Sequence, residues 1–150
     1  MMVLTQKESM YLEELKSQEE LCIKKYNESA EKACDEQLKQ LLQRIASAEQ
    51  NHLDTINEML KGTVPPVPMA SQKEKPSFTM SGCTDAAKEC DKTICQDLLG
   101  TEKYVSTVYN TSVFEFRDEN ARKMLNHIQS EEQEHGKELY DYMSANGMYA

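Results

Sequence analysis

The sequence predicts an all-α four-helix bundle built from two similar helical hairpins in a single domain, residues 1–150. Strong helix formers such as Glu, Lys, Leu and Gln are abundant, whereas the 150 residues include only 5 glycines and 4 prolines. All 4 prolines lie within residues 62–82, and this segment separates two long stretches of helical periodicity. The two stretches also resemble each other in sequence, which indicates a duplicated hairpin.

The first hairpin is predicted over residues 5–61, with a break between its helices near residues 28–36. Asp35 is a natural N-cap for the second helix, and Gly62 suits its C-terminal end. The linker 62–82 is long for a compact domain. It is long enough to run the length of a bundle, so we expect a crossover connection.

The second hairpin is predicted over residues 83–145, with a break near residues 117–119. Asp118 is the expected N-cap of the fourth helix, and Gly147 follows that helix.

An internal repeat relates the two hairpins. When residues 12–52 are placed on residues 95–135, 13 of the 41 positions are identical without a gap. The matched segment includes the loop between the helices, which similar helical composition alone would not align. It also includes the motif Ser-x-Glu-Gln-x-His, at 47–52 and again at 130–135. Duplicated hairpins predict approximate twofold symmetry.

Each predicted helix carries a carboxylate on its apolar stripe, at a position where the helical period calls for a hydrophobic residue. On the second and fourth helices a histidine follows the glutamate three residues later, a spacing at which both side chains can reach one ion. The six stripe residues are Glu19, Glu49, His52, Glu102, Glu132 and His135.

Buried, ionised carboxylates are costly unless something compensates their charge. Two iron or manganese ions would do so, because carboxylate oxygens and imidazole nitrogens are suitable ligands for these metals. One Glu from each of two helices and Glu-x-x-His from each of the other two is the di-metal arrangement of helix bundles. Two other interpretations stay open. The residues are surface charges, or they form an ancestral site that persists without metal, held by hydrogen bonds or lysine partners.

Two tyrosines on the stripes have two possible roles, and a third histidine is expected to have no role in the site. Tyr26 and Tyr109 lie seven residues after Glu19 and Glu102 on the same stripes. They are either core aromatics with locally satisfied hydroxyls or donors to the ligand carboxylates. His127 is expected at the surface, because arginine occupies the corresponding position of the first hairpin.

The odd number of cysteines, 5, and the absence of a signal-peptide pattern predict reduced, intracellular thiols. Cys22 and Cys95 fall at core spacing, whereas Cys83 or Cys90, near a helix start, is a candidate reactive thiol. The net charge of −9 argues against nucleic acid and anionic membranes as partners. No apolar run reaches transmembrane length.

The Glu, Glu-x-x-His pattern and the tyrosine after each first Glu resemble the ferritin-like superfamily, especially its rubrerythrin and bacterioferritin branch. The resemblance implies bridging roles for Glu49 and Glu132, terminal roles for Glu19 and Glu102, and one metal each for His52 and His135. The thirty residues from Glu19 to Glu49 are slightly fewer than those families usually show. Glu20 is therefore the alternative to Glu19 as a ligand.

The second hairpin also resembles the Coat F family of bacterial endospore coat proteins, through "DLL" and "YN" on the third helix, "EE" on the fourth and the closing "NGMY". This resemblance implies a ferritin-like hairpin in a bacterial spore former, located either in the cytoplasm or in the spore coat.

Two functions follow. The first is a di-iron or di-manganese oxidoreductase that reduces peroxide or dioxygen, or oxidises Fe(II), with electrons from a separate donor protein. The alternative is a structural Coat F-type protein, surrounded by other coat proteins, whose metal site is absent or non-catalytic. A homodimer is the expected assembly from general frequencies.

Overall fold

A computed structural model describes residues 1–69 and 74–149 of the chain, and all regular secondary structure within them is α-helical. The helices are α1 (Gln6–Lys32), α2 (Glu36–Leu60), α3 (Asp85–Glu115) and α4 (Glu119–Ala145). The predicted all-α four-helix bundle of two hairpins is confirmed. Residues 70–73 of the predicted linker, and Ala150, lie outside the described residues.

Polar N-caps and glycines mark the ends of α2 and α4. Asp35 and Asp118 each accept a hydrogen bond from a backbone N–H in the first turn of α2 and α4. Gly62 and Gly147 follow these helices with φ of 90° and 66°, in the left-handed region that glycine adopts without steric cost. None of the four helices has an apolar stretch capable of crossing a membrane.

The helices pack as the hairpins α1–α2 and α3–α4, with α1 also against α3 and α2 against α4. Tyr26 bonds to Glu102 and Tyr109 to Glu19, so α1 and α3 run in opposite directions. Because α2 opposes α1, α2 and α3 are parallel. The connection between them therefore has to return along α2, roughly 37 Å for its 25 residues.

Two buried carboxylates at equivalent positions of the repeat close the hairpin loops. Asp91 on α3 accepts hydrogen bonds from the backbone N–H groups of Cys34 (2.9 Å) and Asp35 (3.1 Å), between α1 and α2. Glu8 on α1 accepts one from the N–H of Arg117 (3.2 Å), between α3 and α4. Each hairpin thus satisfies otherwise unpaired backbone donors of the other hairpin.

The cysteines differ from the expectation in one respect, because Cys34 and Cys83 form a disulfide with Cα atoms 6.6 Å apart. The expectation that all thiols are free is wrong for this pair. Residue spacing does not reveal the pair, since the crossover is what brings Cys83 back to the α1–α2 loop. Cys22 and Cys95 are free and buried as predicted, and Cys90 is free and exposed.

We expect Asp91→Ala to lower the free energy of unfolding by about 1–3 kcal/mol, because the buried N–H of Asp35 and the partly buried N–H of Cys34 would lose their acceptor. Urea unfolding monitored by circular dichroism, with the disulfide intact, measures the change. Glu89→Ala, an exposed acidic residue on the same turn of α3, is the control and should stay within about 0.5 kcal/mol of the parent protein. Equal losses in the two variants would contradict the role of Asp91.

Candidate metal centre

The six stripe residues meet in the interior of the bundle, near the middle of each helix. None is more than 7% exposed, and the side chains of Glu19 and Glu49 are fully buried. The interpretation as surface charges is therefore wrong. Glu20, the alternative to Glu19, is exposed.

The six side chains form two overlapping groups of four, and within each group the potential ligand atoms lie within 4.8 Å of one another. The first group is Glu19, Glu49, His52 and Glu132, and the second is Glu49, Glu102, Glu132 and His135. Glu49 and Glu132 belong to both groups. Each group offers three carboxylates and one imidazole, a donor set that could hold a divalent transition metal.

Both imidazoles turn Nδ1 toward the two shared carboxylates. His52 Nδ1 lies 3.0 Å from Glu132 Oε1 and 3.3 Å from Glu49 Oε2. His135 Nδ1 lies 3.0 Å from Glu49 Oε1 and 3.7 Å from Glu132 Oε2. Each histidine therefore contacts the glutamate of its own helix and that of the opposite helix.

The two tyrosines hold the remaining carboxylates across the bundle. The hydroxyl of Tyr26 donates to Glu102 Oε1 and that of Tyr109 donates to Glu19 Oε1, both at 2.5 Å. Both rings are fully buried, and burial together with these carboxylates raises the pKa of each phenol. The hydroxyls are thus satisfied by the opposite hairpin rather than within their own helices.

Three carboxylate oxygens in the cluster are buried without a hydrogen-bond partner in the described part of the chain. They are the Oε2 atoms of Glu19, Glu102 and Glu132. Buried acceptors are rarely left unpaired in proteins, and such groups call for a bound ion, water or other partner. These free oxygens and the Nδ1 atoms are a donor set that could hold a metal ion.

Without a cation, protons offset the repulsion among these groups. Burial and the neighbouring Glu49 raise the pKa of Glu19 to about 8, and burial raises that of Glu132 well above its usual range. Burial also opposes the ionisation of Glu49, but hydrogen bonds from Glu19 and the imidazoles outweigh it and lower that pKa. Burial disfavours charged His52 and His135, yet the surrounding carboxylates raise both pKa values. No lysine of the described residues pairs with the six side chains.

Two residues outside the predicted set extend the cluster. Glu131 Oε1 lies 3.0 Å from His52 Nε2 and 3.2 Å from His127 Nε2. His127, expected at the surface, is half-buried. Glu131 lies beside the stripe, and its i,i+4 spacing from His127 is the one sequence signal that could have pointed to it.

Comparisons with known proteins found one similar domain family and one similar curated protein. Residues 90–150 match the Coat F domain. The uncharacterized protein YusN of Bacillus subtilis is 32% identical over 82 residues, which cover 55% of this chain and 74% of YusN. No solved structure matches the chain. The chain thus belongs to the same family as YusN, and its second hairpin is similar to the Coat F domain.

Proposed function

We propose that this protein is a ferritin-like di-metal carboxylate protein that binds two ions of iron or manganese inside its four-helix bundle. The observation that carries the proposal is the convergence of four carboxylates and two imidazoles, three of whose carboxylate oxygens lack hydrogen-bond partners among the described residues. Polar groups in this number are stable in a bundle core when cations compensate them.

The roles of the six side chains follow from their positions. Glu49 and Glu132 belong to both groups of four and would bridge the two ions. Each histidine would bind one ion through Nδ1. Glu19 and Glu102 would be terminal ligands, and Tyr109 and Tyr26 orient them by hydrogen bonds that leave one carboxylate oxygen free.

Bound iron or manganese would supply the chemistry for reducing peroxide or dioxygen, or for oxidising Fe(II). The protein contributes buried carboxylates, two imidazoles whose Nδ1 atoms face them, and tyrosine hydroxyls that orient Glu19 and Glu102. A peroxide-reducing cycle would draw its electrons from a separate donor protein.

The Coat F similarity favours a second candidate function, a structural protein of the spore coat with other coat proteins as partners. It supports a location in the coat for either function. However, the matched residues 90–150 include only three of the six proposed ligands, namely Glu102, Glu132 and His135. The other half of the cluster lies on the first hairpin, outside the matched segment.

We expect protein purified from cells supplied with iron and manganese to contain about two metal ions per chain. Glu49→Gln should reduce this content close to zero, because it removes a carboxylate shared by both groups. Elemental analysis of the purified proteins measures the content, and circular dichroism verifies that the variant is folded.

Glu20→Gln is the matched control, since Glu20 is exposed beside the buried Glu19. Its metal content should equal that of the parent protein, whereas Glu19→Gln should lose metal. A parent protein without bound iron or manganese after such growth would refute the di-metal proposal.

We expect the metal-loaded protein to consume hydrogen peroxide or to oxidise added Fe(II), and Glu132→Gln to fall to the level of the metal-free protein. Peroxide consumption and Fe(II) oxidation are measured on the same preparations used for elemental analysis. Stoichiometric metal without either activity would favour the structural coat function.

A further inference from the structure

Among the positions at which the two copies of the repeat differ, one lies directly beside the proposed metal centre. At the offset of 83 residues, Glu131 on α4 corresponds to Ala48 on α2. The ligand residues themselves are identical in the two copies. The Nδ1 atoms of His52 and His135 therefore face equivalent carboxylates, whereas the residues beside their Nε2 atoms differ.

His52 has partners on both ring nitrogens. Its Nδ1 faces the shared carboxylates, and its Nε2 lies 3.0 Å from Glu131 Oε1. A carboxylate at Nε2 favours the tautomer with the proton on that nitrogen, which leaves the Nδ1 lone pair for a metal. The same contact fixes the orientation of the ring.

His135 lacks the equivalent support. Its hydrogen bonds and ion pairs with the described residues all involve Nδ1. Ala48, the counterpart of Glu131, has no side-chain acceptor to offer. Among the described residues, no carboxylate at Nε2 therefore selects the tautomer of His135 or fixes the orientation of its ring.

A second histidine on α4 supports Glu131 from the outer side. His127 Nε2 lies 3.2 Å from Glu131 Oε1, so the carboxylate lies between two imidazoles. The counterpart of His127 is Arg44, which pairs instead with Glu138 at 3.3 Å. The contacts from His127 through Glu131 to His52 therefore have no equivalent around His135, where Arg44 and Ala48 occupy the corresponding positions.

We infer that Glu131 is a positioning residue that makes the two metal positions unequal. The ion on His52 binds more tightly and fills first, whereas the ion on His135 is the more exchangeable one. This inference rests on the proposed function, because it requires that the cluster binds two ions. Carboxylates behind metal-bound histidines typically change metal affinity by about 10–100-fold.

Anaerobic titration of the full-length, metal-free protein with Mn(II), in competition with a chelating indicator, tests the inference. We expect two binding steps whose dissociation constants differ by about 10–100-fold. Glu131→Ala should weaken the tighter step by a similar factor and leave the weaker step unchanged. Glu134→Gln, an exposed residue on the same helix, should leave both steps unchanged.

The repeat also offers a gain-of-function variant. Ala48→Glu places a carboxylate where α2 lacks one and should strengthen the weaker step by about 10–100-fold. His135→Ala should remove the weaker step and retain the tighter one, which assigns the steps to their positions. If Glu131→Ala fails to fold, Ala48→Glu and His135→Ala carry the test by themselves.

The outcomes separate the inference from the proposed function. A parent protein that binds neither Mn(II) nor Fe(II) when titrated in this way refutes the proposed function. Two equal steps in the parent protein overturn only the inequality, as does an Ala48→Glu variant with unchanged affinities. Loss of the tighter step in His135→Ala would show that the order of the two positions is reversed and would also overturn the inference.

Discussion

The burial of four carboxylates and two imidazoles in the middle of a four-helix bundle is the constraint on which the rest of this structure depends. Each carboxylate costs free energy in an apolar core, and several together repel one another. The cluster therefore needs compensation of its charge and a fixed orientation of its carboxylates. The crossed tyrosine bonds, Tyr26 to Glu102 and Tyr109 to Glu19, provide orientation. Protons or metal ions would provide the compensation, and the three carboxylate oxygens that have no hydrogen-bond partner among the described residues support the proposed metal ions.

Because of the approximate twofold symmetry, both hairpins contribute equivalent polar groups that must be satisfied. The same offset that relates the ligands also relates Asp91 and Glu8, the carboxylates that close the opposite loops. Each hairpin thus satisfies polar groups of the other, both in the centre and near the ends. A hairpin without its partner would leave these backbone donors and the carboxylates unsatisfied, so the two halves are expected to fold as one cooperative unit.

Helical periodicity made the bundle and the buried cluster predictable, because a charged residue on an apolar stripe interrupts an otherwise regular pattern. The pattern tells which face a residue lies on, but not which neighbour it meets. The periodicity therefore does not predict that each tyrosine hydroxyl donates to a carboxylate on the opposite hairpin. The Cys34–Cys83 disulfide depends on the path of the crossover. Glu131 lies one residue off the stripe, where a glutamate is ordinary on any helix, and its contact with His52 depends on how α2 packs against α4.

The distribution of ligands over the chain bears on the choice between a metal protein and a structural coat protein. The Coat F similarity covers residues 90–150, whereas the shared carboxylates Glu49 and Glu132 lie on different hairpins. Neither group of four can form within one hairpin. A purely structural bundle would be more stable with hydrophobic residues at these positions, since buried charged groups rarely repay their desolvation. The complete, buried donor set that the two hairpins build together therefore has a physical reason in the proposed metal binding and none in packing.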